Sequence, residues 1–428
     1  MEAVYVPWLH MHQPLVWFKT NKKEELVSNL QKMILSKDQK ESWDGKLIAR
    51  AYKNPAKYIK ILKKRGYEPR IILDYSGILL ESLEELSKKK FFEKIEVERE
   101  KIGNLIKAFK DVLKKFPSCI EFAGTAYSHC YFPATPEEDW VLQVEEWKKV
   151  YKKIFGKKCL EKVKGFWLPE LGVPGFEDKL EKLIKVLKEQ DYEWLILPLQ
   201  AVENYERLSF EERIKIACQP HLLRVKNQSI TVVFRFPSFI IDQQAGCSAR
   251  EVYEKAKETA KTFSKYSKRP ALIIPASDGE NGNVMMNEFF PQTFVPFFEE
   301  FKDEKVSSML ISEFLHTFYE KRGEVCPESE IKLKTLGASW INGHKLWLEG
   351  SKRLKMKKKI EKLSREFHEI EKKLKKKGLD ERLEEVKKLL LIAETSCYVY
   401  WGVDFWFEQG EKTIKFVRKK LENLKKYL

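Results

Sequence analysis

Short apolar runs alternate with amphipathic stretches from the N-terminus of this chain to residue 311. Runs rich in β-branched residues predict strands, and apolar residues at three- and four-residue steps predict helices. The predicted strands are residues 4–9, 70–73, 119–123, 163–168, 193–197, 230–234, 272–276 and 308–311. Helical stretches between them include residues 55–64, 97–114, 138–154, 178–189 and 250–263. This alternation predicts α/β architecture, most economically a barrel of seven or eight parallel strands. An open doubly wound sheet is the alternative, but no GxGxxG motif follows a predicted strand.

The pattern changes after residue 312. Apolar residues then recur at helical spacing among lysines and glutamates, at Ile360, Leu363, Phe367, Ile370 and Leu374. Gly378 ends this helix and Asp380 can cap a second one. We therefore expect a catalytic barrel at residues 1–311 and a C-terminal helical domain at 312–428 that packs on it. A coiled-coil arm is less favoured, because fewer than three clean heptads are present.

Composition narrows the class of protein. Of the 428 residues, 43% are hydrophobic and 34% are charged, and the formal net charge is +16. The basic residues alternate with glutamates along residues 352–377, so solvated helix faces explain the excess and we expect no nucleic-acid partner. The abundance of Lys and Glu also resembles a thermophile surface.

The remaining sequence signals concern location and cofactors. The N-terminus lacks a signal-peptide pattern, and no apolar run reaches the ~18 residues of a membrane span. The seven cysteines are scattered and lack CxxC spacing, which favours buried thiols over disulfides or a zinc site. We expect a cytoplasmic protein without a membrane partner, metal or other cofactor. Nothing in the sequence indicates its oligomeric state.

Candidate chemistry begins at His10-Met11-His12-Gln13-Pro14, directly after the first predicted strand. Residues i and i+2 of an extended chain point to the same side, and the carboxyl ends of barrel strands carry active sites. Similar motifs follow later strands, at Trp167-Leu168-Pro169-Glu170, Ser277-Asp278-Gly279-Glu280-Asn281 and Ser339-Trp340-Ile341-Asn342-Gly343-His344. Aromatic faces combined with carboxylate, amide and imidazole groups suit a carbohydrate pocket. At this point the two histidines are also compatible with a metal site or with a buried contact between strands.

Taken together and in this order, the motifs resemble glycoside hydrolase family 57. Shorter similarities lie at residues 76–81, 339–342 and 393–396, so the resemblance extends over almost the whole chain. It implies an incomplete (β/α)7 barrel followed by a helical region. It also implies a retaining hydrolase of α-glucans or maltooligosaccharides, with a 4-α-glucanotransferase that uses the same residues as the alternative.

The resemblance also implies roles for individual residues. Glu170 matches the family's nucleophile and Asp278 its general acid/base. Retaining cleavage needs two such carboxyl groups ~5–5.5 Å apart, one ionised and one protonated. The predicted substrate-binding residues are His10, His12, Gln13, His129, Trp167, Glu280, Trp340 and His344. For Trp167, Trp340 and also Tyr127, a core role is an equal alternative. Glu280 could orient Asp278, bind a hydroxyl group or satisfy the glycine turn.

Two other classes of function compete with this interpretation. A metal-dependent hydrolase of the amidohydrolase type would use His10 and His12 with His129 and Asp278, but it lacks further nitrogen ligands. A relative that binds glucan without cleaving it is the other class. The presence of both Glu170 and Asp278 argues against it.

Overall fold

The computed structural model describes residues 1–20, 23–239, 243, 246–280, 288–301, 305–378 and 380–428. Its strands are β1 (Ala3–Tyr5), β2 (Trp8–Met11), β3 (Leu15–Thr20), β4 (Lys23–Ser28), β5 (Ile71–Tyr75), β6 (Glu96–Val97), β7 (Glu100–Lys101), β8 (Ile120–Phe122), β9 (Gly165–Trp167), β10 (Trp194–Pro198), β11 (His221–Val225), β12 (Gln228–Arg235), β13 (Ala271–Ile273), β14 (Ala276–Asp278), β15 (Val306–Ser307), β16 (Glu320–Lys321), β17 (Glu324–Val325) and β18 (Glu330–Ile331). Its α-helices are Asn29–Ile34, Gln39–Lys64, Gly77–Lys88, Leu105–Lys115, Trp140–Phe155, Lys157–Leu160, Glu177–Glu189, Phe210–Ala217, Ala249–Phe263, Val295–Glu300, Ile311–Tyr319, Lys345–Leu348, Ser351–Lys376, Glu384–Ala393, Cys397–Tyr400 and Asp404–Lys425.

Parallel strands form an incomplete barrel. β2 lies between β14 and β5, and β5 pairs with β8. A parallel bridge from Gly124 to Phe166 leads on to β9, which is followed by β10 and β12. The described part of β12 meets the β13–β14 segment through the Phe236 N–H, which donates to the Ile274 carbonyl at 2.9 Å, and not through a strand ladder. The predicted α/β fold, an incomplete (β/α)7 barrel followed by a helical region, is thus confirmed.

Prolines explain why two predicted strands are each divided. The predicted strand at residues 4–9 is split into β1 and β2 around Pro7, and the one at 272–276 is split into β13 and β14 around Pro275. Proline has no N–H to donate to a strand ladder, so the ladder is interrupted at that point. The two divided strands stay paired with each other on both sides of the break, while the other neighbour of the first strand changes from β15 to β5. β1 pairs with β13 and β15, whereas β2 pairs with β14 and β5.

Some strands were not predicted. β3 and β4 form an antiparallel hairpin after the first histidine motif, and β11 runs antiparallel to β12. Half of β4 is exposed and β11 alternates with exposed or half-buried positions. Their apolar signal is therefore weaker than that of the buried parallel strands.

Tryptophans fill much of the barrel interior. The Trp8 ring lies 5.4 Å from Trp167 and 5.9 Å from Trp194, measured between ring centroids. These side chains belong to a buried cluster that also includes Ile311 and Phe314 of the helix Ile311–Tyr319. Wide aromatic side chains at this level close the space below the carboxyl ends of the strands.

The helical region has a core of its own. Leu363 and Phe367 of the helix Ser351–Lys376 pack with residues of Glu384–Ala393 and Asp404–Lys425, and Tyr131 of the barrel joins this cluster. Residues 311–338 still contact the barrel, through the helix Ile311–Tyr319, through β18 and through a bridge from Ala338 to Val173. The domain division after residue 311 stays a prediction. None of the described helices is long and apolar enough to cross a membrane.

We expect Leu363→Ala to lower the free energy of unfolding by about 2–5 kcal/mol, because this fully buried side chain fills the core of the helical region. Leu354→Ala on the same helix is the matched control, since that side chain is 45% exposed and its removal should cost no more than about 0.5 kcal/mol. Urea unfolding followed by tryptophan fluorescence measures both. Equal losses would show that this helix is not anchored by its apolar face.

Candidate active site

Three ionisable side chains stand in one row across neighbouring strands. In the parallel register, Asp278 of β14 pairs with His10 of β2, and His10 pairs with Asp74 of β5. Partners in register on parallel strands point to the same face. The row therefore places an imidazole between two carboxyl groups at the carboxyl end of the barrel.

His10 is held by the protein at both ring nitrogens. Its Nδ1 lies 2.5 Å from Asp74 Oδ2, and its Nε2 lies 2.8 Å from His129 Nε2. Trp8 Nε1 donates to the other Asp74 oxygen at 2.6 Å. Burial disfavours a charged imidazole, but Asp74 outweighs it and raises the pKa of His10 to about 9. His10 is thus a cation at neutral pH.

The other two histidines of the site are neutral. The His12 and His129 rings stack at 4.1 Å between centroids. Burial, followed by the charge of neighbouring histidines, lowers the pKa of each well below its usual range. His12 Nδ1 lies 2.7 Å from the Ser76 hydroxyl, while its buried Nε2 has no partner among the described residues.

Glu170 is placed by a strained turn after β9. Pro169 restricts the chain, and Glu170 has a φ of 59°, in the left-handed region that costs energy for a residue with a side chain. Its Oε2 accepts from Trp340 Nε1 at 3.1 Å and its Oε1 from the Ser396 hydroxyl at 3.3 Å. Burial and then the charge of Asp278 raise the pKa of Glu170 to about 7. The two carboxyl groups are therefore close enough to influence each other.

Arg235, a charged residue beside the two acids, was missed by the sequence analysis. It ends β12, and its Nε donates to the Ala276 carbonyl at 2.7 Å. Burial lowers the pKa of Arg235 to about 10, against the opposing effect of Asp278 and Glu170, so the guanidinium stays charged beside both acids. The available signal was a basic residue at the end of an apolar strand run.

Glu280 ties the loop after β14 to the barrel. One of its carboxyl oxygens accepts from the His12 backbone N–H at 2.9 Å, and the other accepts from the Tyr52 hydroxyl. Burial raises the pKa of Glu280 to about 8. A Cβ on the preceding Gly279 would lie 2.3 Å from Met11 Cε and 3.0 Å from Leu9 Cβ, so the loop packs closely on β2 and a side chain there would require Met11 to move. Asn281 lies outside the described residues.

The other predicted substrate-binding residues take different positions. Trp167 is 4% exposed and stacks on His10 at 5.1 Å, below the carboxyl groups. His344 is half-buried, with Nδ1 2.5 Å from the Tyr131 hydroxyl and Nε2 2.9 Å from the Leu336 carbonyl. Gln13 accepts from the side chain of Asn29 at 2.8 Å.

One group in the described chain could in principle hold a metal ion. Donor atoms of His12, His129 and Cys397 lie within 4.8 Å of one another. Both ring nitrogens of His129, however, already contact His10 and Ser396. A metal ion bound by His129 would have to replace one of these contacts, so the ring of His129 is already used for hydrogen bonds within the protein.

The barrel fold, with carboxyl groups after β9 and at the end of β14, is that of a glycoside hydrolase or glucan transferase. The family model of glycosyl hydrolase family 57 matches residues 6–328. This chain belongs to glycosyl hydrolase family 57, which confirms the resemblance. A comparison with curated proteins found no match.

Solved structures of other family members share the fold. A branching enzyme of this type from Pyrococcus horikoshii is 17% identical, with 97% of this chain and 88% of that one covered and a TM-score of 0.67. An α-amylase from Thermotoga maritima is 14% identical, with 99% and 94% covered and a TM-score of 0.66. A 4-α-glucanotransferase from Thermococcus litoralis is 18% identical, with 100% and 60% covered and a TM-score of 0.61.

Proposed function

We propose that this enzyme cleaves α-glucans or maltooligosaccharides by double displacement, with Glu170 as nucleophile and Asp278 as general acid/base. The observation that carries the proposal is the pair of carboxyl groups at the ends of β9 and β14, Glu170 and Asp278, which lie near enough for one to influence the pKa of the other. The α-glucan substrate is supported by the similar structures, which include a branching enzyme, an α-amylase and a 4-α-glucanotransferase.

In the first step, a Glu170 oxygen forms a bond to the anomeric carbon as the glycosidic C–O bond breaks. The proton of Asp278 goes to the departing oxygen. In the second step, Asp278 takes a proton from water or from a sugar hydroxyl, whose oxygen attacks the same carbon and releases the Glu170 carboxylate. Two inversions at one carbon leave its configuration retained.

Several neighbours of Glu170 favour the ionised form that a nucleophile needs, although burial and Asp278 raise its pKa to about 7 overall. Trp340 and Ser396 donate hydrogen bonds to its two oxygens, and the positive charge of His10 also favours the carboxylate. Arg235 adds a second cation, which interacts electrostatically with both Glu170 and Asp278. These groups oppose the burial that would otherwise keep Glu170 protonated.

Among the predicted substrate-binding residues, His12 is the best suited to bind a sugar hydroxyl group. Its buried Nε2 has no partner in the described structure, and a sugar hydroxyl would satisfy it. His10 uses both ring nitrogens within the protein, which supports an electrostatic role more than substrate binding.

Transfer to a second sugar is the other candidate function, favoured by the likeness to a branching enzyme and a glucanotransferase. Incubation with purified maltopentaose separates the two. We expect only shorter sugars and glucose, because water is the acceptor when the enzyme acts as a hydrolase. Chains longer than the substrate would identify a transferase, and no product from any α-glucan would contradict both.

We expect Glu170→Gln and Asp278→Asn each to lower kcat on maltooligosaccharides by a factor of about 10²–10⁴ or more, because each removes a group that makes or breaks a bond. Substrate binding, measured by calorimetry, should change little. Glu349→Gln is the control, since that carboxylate is exposed in the helical region. Unchanged turnover in Glu170→Gln would mean that the nucleophile lies elsewhere.

The pH dependence of kcat/KM follows from the protonation state of Glu170. Its pKa is raised to about 7, and only the carboxylate can attack, so kcat/KM should fall about tenfold per pH unit below roughly pH 7. A pH series of initial rates measures this acid limb. Full activity that persists well below pH 5 would contradict the assignment of the limb to Glu170.

A further inference from the structure

We propose that Asp74, His10, His129 and Ser396 form a hydrogen-bonded chain that holds Glu170 ionised and aimed at the substrate. These are positioning residues that act through one another, and the inference rests on the nucleophile role proposed above.

Four successive contacts make the chain. Asp74 lies 2.5 Å from His10 Nδ1, and His10 Nε2 lies 2.8 Å from His129 Nε2. His129 Nδ1 lies 2.9 Å from the Ser396 hydroxyl, and that hydroxyl lies 3.3 Å from Glu170 Oε1. Each contact is within hydrogen-bond reach, so the path from Asp74 to Glu170 is continuous.

The protonation states give the chain one direction. Charged His10 has an N–H on both nitrogens and donates one to Asp74 and one to His129. Neutral His129 accepts at Nε2, so its proton is on Nδ1, where it donates to Ser396. The hydroxyl proton of Ser396 is then directed at Glu170. From His10 Nε2 onward, every donor of the chain points toward the nucleophile.

Burial gives these contacts their effect. Asp74, Ser396 and His129 are 0%, 1% and 3% exposed, and His10 is 7% exposed. Hydrogen bonds and charges act more strongly where water is excluded. Burial and the charge of Asp278 both favour a protonated Glu170, and the chain works in the opposite direction.

The backbone holds the last two links in place. His129 has a φ of 59°, the same left-handed value as Glu170. The Ser396 N–H donates to the His129 carbonyl at 3.0 Å, and Thr395 bridges to Cys130. A strained loop of the barrel is thereby joined to the helical region at the point where the hydroxyl reaches Glu170.

The direct test is Ser396→Ala in the full-length enzyme. Loss of the hydroxyl removes a donor to the carboxylate, which raises the pKa of Glu170, so the acid limb of kcat/KM should move up by about one to two pH units. Ser396→Thr keeps the hydroxyl and should return the limb toward its original position. Thr395→Val is the matched control, because this adjacent buried hydroxyl makes no hydrogen bond within the described residues. An unmoved acid limb in Ser396→Ala overturns the proposal.

A second variant acts at the far end of the chain. Asp74→Asn removes the charge that keeps His10 protonated, and it should also move the acid limb upward, although the substituted side chain touches no reacting atom. Thermal unfolding shows whether the variant is folded at the assay temperature. If it is not, Ser396→Ala and its rescue alone decide the proposal. A folded Asp74→Asn enzyme with the original limb overturns it.

The nucleophile role is tested separately by adding azide to Glu170→Ala. Azide can take the place of the missing carboxylate, and a β-glucosyl azide product confirms that Glu170 attacks the anomeric carbon. This product together with an unmoved limb in Ser396→Ala overturns the chain alone. Absence of the product overturns the nucleophile role, and the chain's function with it.

Discussion

The buried ion pair between His10 and Asp74 is the interaction on which the rest of the site depends. It joins β2 and β5 at their carboxyl ends and places a fixed positive charge beside the acidic side chains of the site. A buried ion pair is costly to break, because the remaining charge is left in a dry environment. The pair therefore fixes the His10 ring, which in turn sets the protonation of His129 and His12. Glu170 lies at the other end of these contacts, where it accepts from the Ser396 hydroxyl.

The site is completed by the part of the chain beyond the family-model match. That match ends at residue 328, yet Trp340 and Ser396 supply the two hydrogen bonds to Glu170. The 4-α-glucanotransferase structure aligns with 100% of this chain, so the alignment includes these segments. The helical region is therefore more than a support for the barrel. It contributes donors that a carboxylate in this position needs.

The sequence predicted the parts of this enzyme that depend on local pattern. Buried parallel strands are apolar runs, and motifs at their ends mark the face where chemistry lies, so the barrel and the positions of Glu170 and Asp278 could be expected. The sequence does not show which side chains contact each other when they are far apart along the chain. Asp74 sits within an apolar strand and has no local signal. Ser396 lies in the short family-like segment 393–396, but that similarity does not show which side chain its hydroxyl contacts. The sequence predicts His10 as a substrate-binding residue and does not reveal its two protein partners, which are 64 and 119 residues away.

The proposed mechanism requires Glu170 to become covalently bonded to the sugar. Mechanism-based labelling tests it most directly, with a 5-fluoro-α-glucosyl fluoride that forms the intermediate rapidly and releases it slowly. Mass spectrometry of the protease-digested enzyme should find one added fluoroglucosyl group on the peptide that contains Glu170, with excess maltose protecting against it. A label on another carboxylate, or inactivation without any covalent mass gain, would contradict the account.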